Sequence, residues 1–389
     1  MKRLSLILVL LVSAAVCVLG WMALGKLRGD GTGVELVDVG AGVDRLIQER
    51  GEVQRGPGLT RVPLDEEQAL VFFPSLSQPR DIYDPQTYFR NRPGFVAPRK
   101  FKGHPAGEWT IRFNAAGFKS DRELLETPPD LRVLVAGDSH SEGVVPTEEN
   151  YCSQLEVLAL ADDPQRSIEV LNASRGGYML YNYLGVLEKY AELEPQLFVM
   201  AVFGGNDFVE TVPLYGYFEG ESLEDDREGW GMKVALSRRA GPGSGQALAQ
   251  GMHQEVLFHH SPRWRELALK ASLAVTREVA RQCAERGIQF VLLYIPSAPE
   301  VQLQYCKEGA EQVLEQFELT FDDQGLTELM ANEYLDTMRA EGVHVVDLRP
   351  AFREADERLY WKADLHINTA GHRVTARELY RAVEGLNQQ

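Results

Sequence analysis

Five short apolar runs, rich in branched side chains, constrain this chain more than anything else in it: Arg132 to Ala136, Ile168 to Leu171, Leu197 to Phe203, Gln289 to Ile295 and Val343 to Leu348. Near-continuous apolar runs belong to strands buried on both faces, and such strands pair in parallel because the crossing helices cover both sides of the sheet. Helical patterns lie between the runs, near Glu148–Leu160, Tyr181–Leu193, Arg263–Arg286, Thr327–Glu341 and Ala370–Leu386. Strand and helix alternate as in βαβ units. The prediction is an α/β fold: a three-layer α/β/α sandwich with a mainly parallel five-stranded sheet, spanning residues 130–389.

Two stretches break the rhythm. Residues 29–129 are rich in Gly and Pro and read as an irregular N-terminal extension with short strands, among them Trp109–Phe113 before the turn signal Asn114-Ala115-Ala116-Gly117. Residues 208–262 read as an insertion, marked by charges and by Gly241, Gly243 and Gly245. It follows a strand's C-terminal end, where open α/β sheets bind ligands, so a lid or substrate-contacting loop is expected there.

The mean hydropathy of −0.24 describes a soluble body with one exception. Leu4 to Leu24 holds no charged residue and follows Lys2 and Arg3. As a helix it would be about 30 Å long, the thickness of a bilayer core. An uncleaved anchor and a signal peptide within residues 1–28 both fit, and the length favours the anchor. Either sends the body out of the cytoplasm. The net charge of −17 repels phosphate backbones and excludes nucleic acid as a partner. Loss of the first 25 residues would take Lys2 and Arg3 with it and make the charge −19, which points to a neutral or cationic substrate, or to one whose anionic groups lie away from the reacting ester.

The four cysteines include no C-x-x-C pair. The strand between Cys283 and Cys306 would hold them about 20 Å apart, beyond disulfide reach, so free, buried thiols are expected. Cys17, after the branched Val16, reads as a plain apolar residue. His253, His259 and His260 have no carboxylate or Cys at ligand spacing and read as exposed loop histidines, so no metal is expected, and no cofactor either. Gly241-Pro242-Gly243-Ser244-Gly245 is not a nucleophile elbow, and Gly29-Asp30-Gly31-Thr32-Gly33 is not a phosphate loop.

Chemistry gathers at the strand ends. Ser139 follows the first buried strand and opens a helix, so its backbone N–H and side chain face the sheet's C-terminal edge. Gly176 and Gly177 follow the second strand and Asn206 the third; Asp364 and His366 precede the last helix. A nucleophile, a close-approach amide, a carboxamide and a base beside a carboxylate thus fall on strand ends. Each has a plainer role, as cap, turn or surface residue. Their joint order is what argues for a site. His140 would be aimed away from the Ser139 Oγ by the first helical turn and lines the pocket instead.

These residues resemble the SGNH (GDSL-like) hydrolases. Gly137-Asp138-Ser139 resembles the family's first block. Asn172-Ala173-Ser174-Arg175-Gly176-Gly177-Tyr178 resembles the second and aligns Gly177 with its oxyanion-hole glycine, and Gly204-Gly205-Asn206-Asp207 resembles the third. The last block departs from the usual D-x-x-H: position 363 is Ala and Asp364 lies two residues before His366, a D-x-H spacing found in envelope-associated relatives that include alginate-acetylation proteins. Asn368 and Gly371-His372 continue the family's ending, and Phe113-Asn114-Ala115-Ala116-Gly117-Phe118 resembles a segment before the first block of exported members.

The resemblance implies a Ser139, His366, Asp364 triad with an oxyanion hole of the Ser139 and Gly177 amides and the Asn206 side chain. It implies an esterase acting on an O-acyl group, such as an O-acetyl on an envelope or extracellular glycan. The alternatives are an O-acetyltransferase with the same triad, a lipid-ester hydrolase and a non-catalytic binding or assembly protein on the same fold.

Overall fold

The computed structural model describes residues 45–50, 58–220 and 248–387. The apolar segment 4–24, Cys17, the Gly29–Gly33 run and the Gly241–Gly245 run lie outside the described residues. Among the described residues no helix is long and apolar enough to cross a membrane.

In chain order the elements used below are α1 (Glu66–Phe72), β1 (Asp81–Asp84), β2 (Tyr88–Asn91), β3 (Val96–Lys100), β4 (Glu108–Arg112), β5 (Leu131–Gly137), α2 (Ser139–Glu142), α3 (Tyr151–Asp162), β6 (Ile168–Asn172), α4 (Leu180–Tyr190) and β7 (Leu197–Phe203). Then follow α5 (Asp207–Glu219), α6 (His253–His260), α7 (Pro262–Arg286), β8 (Gln289–Ile295), α8 (Leu326–Ala340), β9 (His344–Asp347) and α9 (Thr369–Asn387). The five apolar runs are β5 to β9, and they form one sheet in the order β6-β5-β7-β8-β9. Every pair in it is parallel. The three-layer α/β sandwich read from the runs is the fold. Its interior strands explain their own composition: β5 and β7 are buried at all seven positions and are apolar throughout except for Arg132, which pairs with Glu169 on β6 at 2.6 Å.

Strand order and crossover hand together locate the crevice. From β5 the chain crosses through α3 to β6 on one side; from β6 it returns through α4 to β7 on the other side and continues outward through α7 and α8 to β8 and β9. With crossovers of one hand, reversing the direction of travel moves the helix to the opposite face. Accordingly α3 packs with α9, while α4, α5, α7 and α8 pack together. Chains leaving β5 and β7 diverge, and the gap between their C-terminal ends is the ligand crevice of such sheets. Ser139 and Asn206 stand on its two sides.

Two expectations need correcting. The stretch 208–262 is not irregular throughout: α5 occupies its start, and α6 carries His253, His259 and His260, which are therefore helical, with only His259 exposed. No 3.6-residue period betrays α5, because eleven of its thirteen residues are buried, Pro213 and Gly216 among them. The N-terminal extension carries the short strands expected of it, but its described residues are more regular and more buried than an irregular segment would be. It forms α1 and the antiparallel hairpins β1–β2 and β3–β4, and Leu64, Phe73, Tyr88, Phe89 and Phe118 join the same apolar core as the sheet. Cys152 and Cys283 are buried and free, and Cys306 is free and half-buried.

Candidate active site

The tight turn after β5 begins with a packing constraint. A Cβ on Gly137 would lie 2.3 Å from Ser141 Oγ and 3.2 Å from Ala201 Cβ on β7, so only glycine lets the strand end turn into α2 here. Asp138 then caps α2, accepting from the His140 amide at 2.8 Å. Burial pushes the Asp138 carboxyl up to about 6, against the lowering effect of that amide and of His366. Ser139, the first residue of α2, is half-buried with its Oγ 2.8 Å from His366 Nε2.

His366 comes from the loop before α9. Asn368 caps that helix through the Gly371 amide at 2.9 Å, and a Cβ on Gly371 would lie 2.5 Å from the Leu359 carbonyl, so the loop closes tightly on itself. Asp364 Oδ1 accepts from the His366 amide at 3.2 Å, and its Oδ2 lies 3.0 Å from His366 Nδ1. That second contact is close but misaligned, and Nδ1 completes no hydrogen bond. Between the two stands buried Leu365 with φ of 58°, a left-handed conformation costly for a branched residue. Through this one strained turn the short D-x-H spacing still places the Asp364 carboxylate beside the His366 imidazole.

Opposite Ser139, Arg175 to Tyr178 makes a turn closed by the Tyr178 amide on the Arg175 carbonyl at 3.0 Å, with Gly177 at φ of 84° in its third position. The Gly176 amide is engaged by Glu142 Oε2 at 2.7 Å, while the exposed Gly177 amide makes no hydrogen bond to the protein. A Cβ on Gly176 would sit 3.4 Å from Ser139 Cβ, so the turn approaches the serine closely. Asn206 occupies the cap position of α5 without a side-chain capping bond, and its Oδ1 is buried without a partner. The carboxamide is thus not spent on structure. Asp207, in contrast, accepts from the Phe203 amide at 2.8 Å and from Tyr183 Oη at 2.7 Å and ties down the turn. The Ser139 amide likewise makes no hydrogen bond to the protein.

A charged layer under the site was not foreseen. Arg175, buried, forms two 2.6 Å bonds to Asp81 on β1 and reaches Glu142 at 3.3 Å; Arg80 reaches the other Glu142 oxygen at 2.7 Å. Burial alone would raise the Glu142 carboxyl, but Arg80, Arg175 and Arg99 hold it well below the usual range. Lys119 donates to the carbonyls of Glu142, Gly143 and Val145 at 2.8, 3.1 and 2.9 Å, and burial pushes it down to about 8. Arg80, Asp81 and Lys119 all come from the N-terminal extension. No local spacing signals them, because their partners are 23 to 94 residues away. Among the described residues no group of three or more His, Cys, Asp or Glu could hold a metal ion.

Residues 253–389 match the family described as SGNH hydrolase-like domain, acetyltransferase AlgX. No curated protein matches the chain. Among solved structures it is similar to an alpha/beta hydrolase enzyme from the metagenome of Lake Arreo, Spain, at 15% identity, TM-score 0.39, over 66% of this chain and 97% of that one. It is similar to an acetyl xylan esterase at 15% identity, TM-score 0.35, over 65% and 100%. A third is an acetyl xylan esterase from Geobacillus stearothermophilus, at 16% identity and TM-score 0.35, over 67% and 97%. Over residues 253–389 the chain is thus similar to the SGNH hydrolase-like family, and its five-stranded parallel sheet brings the motif residues together at the switch point.

Proposed function

We propose that the protein is a serine esterase that removes an O-acyl group from a carbohydrate, with Ser139 as nucleophile, His366 as base and Asp364 orienting the base. The observation that carries this is the 2.8 Å contact between Ser139 Oγ and His366 Nε2, with Asp364 on the far side of the imidazole. His366 Nε2 takes the Ser139 proton as Oγ attacks the ester carbonyl, and the imidazolium is stabilised by Asp364. The oxyanion is held by the amides of Ser139 and Gly177 and by Asn206 Nδ2, for which no hydrogen bond is made among the described residues. The intermediate collapses, the sugar oxygen leaves with the proton from His366, and the acyl group stays on Ser139. Water deprotonated by His366 then releases the acid.

A second reading has the same first half, with a sugar hydroxyl in place of water, which makes the protein an O-acetyltransferase. The acetyltransferase description of the matched family supports it and supports acetyl as the acyl group. The apolar residues 4–24 support a location outside the cytoplasm, beside envelope or extracellular glycans.

Hydrolysis of p-nitrophenyl acetate by wild type and by Ser139→Ala tests the nucleophile. Loss of at least about 10³-fold in kcat is expected; equal rates would sink the serine mechanism. Repeating the assay with an oligosaccharide acceptor separates the two readings by whether acetyl appears on sugar or as free acetate.

A further inference from the structure

His140 follows the nucleophile and has no place in the mechanism above, yet it is fully buried and held from every side. One face of its ring stacks on Phe203 at the end of β7, centroids 3.6 Å apart and planes 19° apart. His366 stacks on it as well, at 4.7 Å and 29°. Its edge is used too. The Ile367 amide donates to Nδ1 at 3.4 Å, and Nε2 lies 2.9 Å from Gln250 Oε1. An amide N–H requires a lone pair on Nδ1, so the proton sits on Nε2 and is donated to Gln250. Burial first, and the neighbouring His366 second, keep this imidazole neutral. Protonation would also set an Nδ1–H against the Ile367 N–H.

We infer that His140 is a positioning residue for His366: its neutral ring face supports the base and favours the imidazolium form, and Gln250, at the far end of the insertion, holds that ring in its Nε2–H tautomer. The inference rests on the reading of His366 as the base. A cation against an aromatic face is stabilised by the ring's electron density, most of all where water is excluded. Support of this kind matters here because Asp364 meets Nδ1 off-axis. The remaining titratable groups around His366 are Ser139 and Asp138 at the start of α2, Asp364 on its own loop and buried His372 on α9. The insertion reaches His140 through a kink. Gly251 has φ of 141°, and a Cβ there would lie 2.8 Å from Ser297 Cβ, so glycine is what lets residue 250 come in.

The test is the titration of the His366 imidazole, followed by NMR in the full chain without substrate, alongside kcat and KM for p-nitrophenyl acetate. His140→Leu is expected to lower the midpoint by about 0.5–1 pH unit and kcat by about threefold to tenfold, with KM unchanged. His140→Phe keeps a ring face but neither hydrogen bond, and is expected to hold the midpoint near the wild-type value. A midpoint unmoved in His140→Leu, or displaced equally in His140→Phe, overturns the inference. Gln250→Ala changes a half-buried side chain outside the core and tests the lock without risk to folding: a kcat loss of about threefold is expected, and wild-type kcat overturns the role of Gln250. Were the protein inactive on every ester, a shifted midpoint would still support the ring contact, and the failure would fall on the functional reading alone.

Discussion

At the scale of single residues, Leu365 decides how the short D-x-H spacing still brings a carboxylate beside the imidazole. Its left-handed backbone costs on the order of 1 kcal/mol or more, and the cost is offset by burial of its side chain and by the Trp361–His366 backbone bonds around it. The misaligned Nδ1 contact predicts unequal roles for the two side chains. His366→Ala is expected to lower kcat by about 10³-fold or more, since the other group near Ser139 Oγ among the described residues, the Asp138 carboxyl at a long 3.4 Å, also caps α2 through the His140 amide. Asp364→Ala is expected to cost less, about 10–10²-fold, because the His140 ring still supports the imidazole. Steady-state kinetics of both variants checks this, and a harmless Asp364→Ala would assign the orienting role elsewhere. Ser139, Gly177, Asn206 and His366 were legible as types at strand ends, since each motif is local. The partners of His140 were not, because Phe203, Gln250 and His366 converge on it only when β7, the end of the insertion and the C-terminal loop pack together.

Among elements, α2 has only four residues and cannot hold its own position. It is held from outside: Asn172 and Asn150 both donate to the Ser141 carbonyl at 3.0 Å, and Lys119 takes the carbonyls at its C-terminal end. A cation is favoured at a helix C-terminus, but this one carries no carboxylate contact and is fully buried. The folded state therefore binds the Lys119 proton less tightly, at about 8, than the unfolded chain, at about 10.4. Between those values the unfolded state holds more protons, so this group's contribution to stability is present above pH 10.4 and is lost as pH falls to 8. Denaturant unfolding of wild type and Lys119→Met at pH 8 and pH 10 is expected to show a difference that moves in favour of wild type at the higher pH. A pH-independent difference would contradict it. The element boundaries of β5 to β9 were readable to within a residue or two, because strands covered on both faces are mostly apolar; the exceptions are Arg132 and Glu169, paired across β5 and β6, and the half-buried edge strand β9. Helix α5 hid because it is buried nearly all round and so presents no polar face.

Over the whole molecule the described part of the N-terminal extension belongs to the same folded body as the sheet rather than forming a spacer. It supplies one partner in the Arg175–Asp81 pair, one in the Arg80–Glu142 pair and all of the Lys119 contacts. It also approaches α4 so closely that a Cβ on Gly185 would lie 2.2 Å from the Gln86 carbonyl. Breaking one buried ion pair costs about 3–5 kcal/mol, against a total stability of about 5–15 kcal/mol for a domain. A fragment starting at residue 130 is accordingly expected not to fold, as read by circular dichroism and by loss of soluble yield; a folded, active fragment would refute this. The net charge of −17 also misleads locally, since Arg80, Arg99, Arg175 and Lys119 gather around α2. By itself the sequence determined the sheet, its layers and the motif residues, because periodicity and short spacings act between near neighbours along the chain. Only the tertiary structure decided what holds those residues in place. The ion pairs, the ring stack and the lysine clamp join segments far apart in sequence, and their energy exists only once burial has removed water from all partners together.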